Sequence, residues 1–81
     1  MVHVYILLSK TTHRYYVGST KDVENRLKEH NAGESSSTRS GVPWKLVWVE
    51  TFHTRGEAML HEKQIKSRGA ARYLESVAQP G

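Results

Sequence analysis

Eighty-one residues give room for one hydrophobic core and exclude a second domain. The chain has no cysteine, which excludes disulfides and thiolate metal sites and is compatible with a reducing cytoplasm, where the protein is expected to reside. Twelve Lys and Arg against eight acidic residues leave a charge of +4, which favours a polyanionic partner, nucleic acid ahead of an anionic membrane surface.

Val2, Val4, Ile6 and Leu8 alternate with His3, Tyr5 and Leu7, the period of a strand with one buried face. The opening MVHVYILL lacks a basic leader and is too short to span a bilayer, so it reads as a strand of a soluble protein rather than a membrane segment. Turn-forming residues fill Ser9 to Arg14, and Tyr15 to Ser19 follows as the second strand of an antiparallel hairpin. That hairpin sets Tyr5 and Tyr16 on adjacent strands. Gly18 marks a point where a ligand or another backbone comes close.

A helix is entered near Thr20 to Asp22 and runs to about Asn31, with Val23 and Leu27 inward and Asn31-Ala32-Gly33 as its stop. Arg26 and His30 are four apart and share the adjoining face. Glu34 to Pro43 is Ser-rich and reads as a mobile loop, and Trp44 to Thr51 is apolar enough for a central strand. Thr54-Arg55-Gly56-Glu57 is a capping box that opens a helix to about Lys66. On it Ala58, Glu62 and Ile65 form one stripe, so Glu62 falls within an apolar face, where a carboxylate needs compensation. A last helix, Ala70 to Val77, groups Tyr73, Leu74 and Val77, and 78–81 is a disordered tail. Residues 1–77 are therefore expected to be a single α+β domain of order β-β-α-β-α-α. Its packed aromatics would be Tyr5, Tyr15, Trp44, Trp48, Phe52 and Tyr73.

Tyr5, Tyr16, Arg26, His30 and Glu62 all have apolar neighbours and are expected to face a common interior. Together they suit metal-assisted phosphodiester cleavage: a carboxylate for the cation, an arginine for phosphate, a hydroxyl or imidazole for a proton. Plainer readings stand beside this one. The tyrosines could be packed strand aromatics, Arg26 could pair with Asp22 or Glu29, His30 could answer the helix dipole, and Glu62 could pair with Arg26. His61-Glu62 begins like a zinc-protease HExxH, but Ile65 stands where the second histidine is required. His3, His13 and His53 have no ligand spacing and read as surface residues.

His3-Val4-Tyr5, Tyr16-Val17-Gly18, Arg26 with His30, Pro43-Trp44-Lys45-Leu46-Val47 and Glu62 in EKQIKS occur in this order over residues 2 to about 75. The set resembles the GIY-YIG endonuclease domain, in its small stand-alone form. The resemblance implies a small three-stranded antiparallel sheet flanked by helices, and a metal-dependent endonuclease that hydrolyses DNA with one divalent cation, Mg²⁺ or Mn²⁺. It also implies residue roles. Glu62 would be the metal ligand, Arg26 would clamp phosphate, Tyr5 would act as base, Tyr16 would position water or phosphate, and His30 would relay a proton. Arg39, Lys45, Lys63 and Lys66 are candidate nucleic-acid contacts. So small a domain is expected to select substrate by structure rather than sequence. RNA is a further substrate class, and an accessory protein subunit and the oligomeric state are left open. Many members carry an asparagine beyond the glutamate, whereas here none follows Asn31. That departure motivates the alternative, a nucleic-acid-binding module of the same fold with weak or no turnover.

Overall fold

The computed structural model describes residues 1–78. In chain order the elements are β1 (Val2–Ser9), β2 (Tyr15–Thr20), α1 (Val23–Asn31), β3 (Trp44–Phe52), α2 (Arg55–Arg68) and α3 (Ala70–Ala78). The order and class are those expected from the sequence. The tail expected over 78–81 lies, from Gln79 onward, outside the described residues, and Ala78 ends α3.

The sheet has strand order β2-β1-β3, with both pairs antiparallel. The central strand is thus β1 and not, as the apolar run over Trp44 to Thr51 predicts, β3. Val4, Tyr5, Ile6 and Leu7 are all at most 2% exposed, so β1 is buried on both faces and not on one, as its alternation predicts: Tyr5 and Leu7 are as enclosed as Val4 and Ile6. β3 carries Lys45 and an exposed Val49 and takes an edge.

The sheet divides the core in two. On one face Val2, Val4, Ile6 and Val17 pack with Ala58 and Ile65 of α2 and with Tyr73 and Leu74 of α3. On the other, Tyr5 and Leu7 pack with Trp44, Tyr16 and the α1 residues Val23 and Leu27. A bulge between Ile6 and Leu7 in the β1–β3 register lets Val47 and Trp48 both join the first cluster. Tyr15 is 39% exposed, so it is not the packed aromatic its composition suggests. Val77 likewise faces outward.

Each main helix begins where its cap predicts. The Asp22 carboxylate accepts from the Asn25 N–H, and the Thr54 hydroxyl oxygen from the Glu57 N–H. The α2 helix runs one turn-fraction past Lys66 to Arg68, and Gly69, at φ 98°, then turns the chain into α3.

The segment Glu34 to Pro43 is not the loose loop its composition predicts. Thr38 and Gly41 are buried, a 3₁₀ turn spans Arg39–Gly41, and the Trp44 indole N–H donates to the Thr38 carbonyl at 2.8 Å. The Ser9 hydroxyl donates to the Gly41 carbonyl at 2.6 Å, tying the segment to the end of β1. Asn31 holds it from the helix side, donating to the Trp44 carbonyl at 3.1 Å and accepting from the Trp44 N–H at 2.6 Å.

Candidate active site

Tyr5 is opposite Gly18 in the β1–β2 register, and a methyl group at position 18 would stand 2.6 Å from the Tyr5 hydroxyl. The glycine is there to let the tyrosine side chain lie across β2. Because β2 is an edge strand, that hydroxyl lies over the outermost strand of the sheet. Tyr16, two places along and opposite Leu7, sets its ring 6.3 Å from Tyr5 and 4.9 Å from His30, centroid to centroid.

His30 has no solvent exposure. Its Nε2 lies 3.0 Å from the Tyr5 hydroxyl and its Nδ1 2.8 Å from the Thr38 hydroxyl. The Thr38 hydroxyl donates onward to the Ser35 carbonyl at 3.5 Å. This network assigns the tautomer. Thr38 accepts from Nδ1–H, and Nε2 is left to accept from the Tyr5 O–H. Burial holds the His30 imidazole below its ordinary value of 6.5, and the nearby positive charge of Arg26 adds to this, with Glu29 opposing. The ring is therefore neutral near pH 7. Thr38 is the site residue that the sequence reading missed. Its only signal was a threonine in a serine-rich stretch, which carries no information about burial.

Arg26, half-buried on α1, pairs with Glu29 at 3.6 Å, one of the plainer partners considered for it. Its guanidinium also bears on Tyr5. Burial raises the Tyr5 phenol above its usual value, Arg26 offsets part of that rise, and the charges of Tyr16 and Glu62 add to it. In return Tyr5 raises the Arg26 value further. Tyr5, Tyr16, Arg26 and His30 are thus in one neighbourhood, and Glu62 is close enough for its charge to act on the same hydroxyl.

Glu62 reaches this neighbourhood from α2, between the buried Ala58 and Ile65. It is less enclosed than the stripe predicts: its side chain is 19% exposed, and Lys66, four residues on, meets it at 2.8 Å. The compensation present is thus a lysine, not Arg26. Among the described residues no group of three or more His, Cys, Asp or Glu could hold a metal ion. The donor set here is a single carboxylate. It fits a hard cation of the Mg²⁺ kind, which keeps most of its water and completes its shell with phosphate oxygens, and does not fit a caged or soft metal.

The four basic candidates are not one cluster. Lys63 and Lys66 line a hollow with Met59 and Glu62. Arg39 donates to the Gly33 carbonyl at 2.9 Å, and Lys45 is exposed on β3. A second polar group, not anticipated, lies on the α2–α3 face of the sheet beside β3. There His61 Nε2 is 2.8 Å from the Tyr73 hydroxyl and 3.8 Å from Glu50, with Phe52 against the imidazole and Trp48 edge-on to Tyr73. His13 and His53 are exposed, and His3 bonds Thr51 at 2.8 Å.

Residues 1–74 match the GIY-YIG catalytic domain. The chain is 42% identical over 66 residues to a UPF0213 protein of Haloquadratum walsbyi, covering 80% of this chain and 74% of that one. A UPF0213 protein of Bacillus licheniformis is 36% identical over 83 residues, covering 98% and 86%. The solution NMR structure of the UPF0213 protein of Bacillus halodurans aligns with a TM-score of 0.58 at 34% identity, over 96% of this chain and 84% of that one. The chain belongs to the GIY-YIG family, in the small single-domain UPF0213 group. That membership makes it a member of a nuclease family, for which the substrate is nucleic acid. Among the described residues no helix is long and apolar enough to cross a membrane.

Proposed function

We propose that the chain is a metal-dependent endonuclease that hydrolyses phosphodiester bonds in DNA, selecting by substrate shape rather than sequence. The observation that carries this reading is the hydroxyl of Tyr5, which lies against Gly18 of the edge strand β2, 3.0 Å from a buried neutral imidazole and beside the charge of Arg26. Tyr73 also meets a histidine, His61 at 2.8 Å, but its neighbour is the carboxylate of Glu50; Tyr5 combines a proton acceptor with a positive charge.

In this mechanism a water oxygen attacks phosphorus and gives its proton to the Tyr5 oxygen. The Tyr5 proton passes to His30 Nε2. Free phenol is a poor base near pH 7, and handing on its proton removes the need for a phenolate. Thr38 holds the ring in the tautomer that keeps Nε2 free to receive. Arg26 faces the non-bridging oxygens and neutralises charge that grows in the transition state. Tyr16 closes the other side and orients water or phosphate. Glu62 would hold a divalent cation such as Mg²⁺ or Mn²⁺, whose role when bound is to polarise the phosphate and stabilise the leaving oxygen. Lys63 and Lys66, beside Glu62, would contact the flanking backbone, with Arg39 and Lys45 as more distant contacts.

Two observations favour the second reading, a binding module with little turnover: Glu62 is already engaged by Lys66, and no asparagine follows Asn31. One assay separates the two. End-labelled duplex, single-stranded, flap and branched DNA, and an RNA strand, are incubated with Mg²⁺ or Mn²⁺ and with wild type, Glu62→Gln or Tyr5→Phe. The expected result is cleavage by wild type that falls by about 10² or more in each variant while binding persists. Binding without cutting on every substrate would give the module reading its place, and full activity in Glu62→Gln would overturn the metal assignment.

A further inference from the structure

Lys66 occupies the carboxylate that the nuclease reading assigns to a cation. Its Nζ is 2.8 Å from Glu62 Oε2, and i, i+4 spacing on α2 fixes the two side by side. The lysine side chain is 56% exposed and the glutamate 19%, so the ammonium can leave without losing a buried position while the carboxylate stays where it is. Lys66 also borders a second hollow, of about 480 Å³, between Tyr15, Tyr16 and Val17 of β2 and Gly69 with the first residues of α3, Ala70 and Ala71. The hollow adjoins Tyr16, the neighbour of Tyr5. An ammonium and a divalent cation cannot both sit on one carboxylate without strong repulsion, whereas an ammonium moved onto a phosphate is compensated again.

Resting on the nuclease reading above, we propose that Lys66 is a substrate-responsive counter-ion: it holds Glu62 in the free protein and transfers to a backbone phosphate when nucleic acid fills the hollow beside Tyr16. Cation and nucleic acid then load together. By linkage the coupling is mutual, each raising the affinity for the other by the same factor. The free protein would bind the cation weakly, and Lys66 would be a positioning residue and not a catalytic one.

The test is Mn²⁺ binding, read by electron paramagnetic resonance of the free ion, on the full chain as wild type, Lys66→Met, Lys66→Arg and Glu62→Gln. Each is titrated alone and with a short DNA duplex, after subtraction of Mn²⁺ bound by the duplex itself. Without DNA, Lys66→Met is expected to bind Mn²⁺ at least about threefold tighter than wild type, the scale of a partly exposed ion pair. Adding duplex supplies phosphate oxygens to the cation in every form that keeps Glu62, so it should tighten Mn²⁺ binding in all three, and by a larger factor in wild type and Lys66→Arg than in Lys66→Met. Lys66→Met binding no tighter than wild type, while Glu62→Gln abolishes binding, would overturn this proposal alone. Unchanged Mn²⁺ binding in Glu62→Gln with duplex present would show that Glu62 is no ligand, and would remove the metal assignment with it. Lys66 is exposed, so the variants should fold, and an unchanged circular dichroism spectrum checks this.

Discussion

With the Tyr5 hydroxyl at 3.0 Å, the Thr38 hydroxyl at 2.8 Å and no solvent contact, His30 gains a proton less readily in the folded protein than in the unfolded chain. The sign of the consequence follows from linkage. Below the ordinary value of 6.5 the unfolded chain takes up this proton first, so the stability His30 confers is present above 6.5 and is lost as pH falls through its lowered folded value. Urea midpoints at about pH 7.5 and about pH 5 should therefore separate more for wild type than for His30→Gln. Equal separations in the two proteins would mean that the ring is not held neutral by burial. The position of His30 beside Leu27 and Val23 on α1 was legible in the sequence. Its depth was not, because the helix dipole explains a histidine near a C-terminus equally well.

At the scale of elements, local signals were the readable ones. Asp22 and Thr54 start their helices through side-chain bonds to the next turn, and the alternation of β1 gives its strand. What failed was long-range. Which strand is central depends on pairing between segments far apart in the chain, and β3 looks as apolar as β1 until Lys45 and Val49 are seen facing out. The Glu34 to Pro43 segment failed for the same reason. Thr38 is ordered by Trp44, six residues on, and by His30, eight residues back. Thr38→Val keeps the volume but removes the acceptor for the His30 Nδ1–H. It is expected to cost about 1–2 kcal/mol of stability, measured by urea unfolding, and to lower cleavage more than Thr38→Ser, which restores the hydroxyl. Equal cleavage by the two variants would separate Thr38 from the site.

Over the whole molecule the two half-cores divide the labour. The α1 face supplies Tyr5, Tyr16, Arg26 and His30, and the α2 face supplies Glu62. The two sets approach one another beside β2, where Gly18 leaves room for the Tyr5 hydroxyl. The opposite rim, at β3, carries the Glu50, His61 and Tyr73 group, which ties β3, α2 and α3 together by side chains from three elements. Tyr73 lies in that junction with its phenol raised by burial first and by Glu50 second, so it remains protonated where Tyr5 does. The candidate site was legible in the sequence as a set of residue types, because Tyr5, Tyr16, Arg26, His30 and Glu62 fall at fixed places on predictable elements. The Lys66 contact was not, since its spacing from Glu62 is equally that of any solvated helix pair.

The amide of Asn31 has a consequence for how molecules of this protein meet one another. By bonding both the N–H and the C=O of Trp44, it acts as a stub of a fourth strand at the start of β3. A nine-residue edge strand rich in Trp and Val is a template on which another chain can polymerise. With its first backbone pair already taken and a bulge farther along, β3 offers an incoming strand no clean start. Asn31→Leu would free that pair at the margin of the sheet. The variant is expected to scatter light at a lower protein concentration than wild type on mild warming, and equal scattering thresholds would assign the protection to the bulge and Lys45 alone.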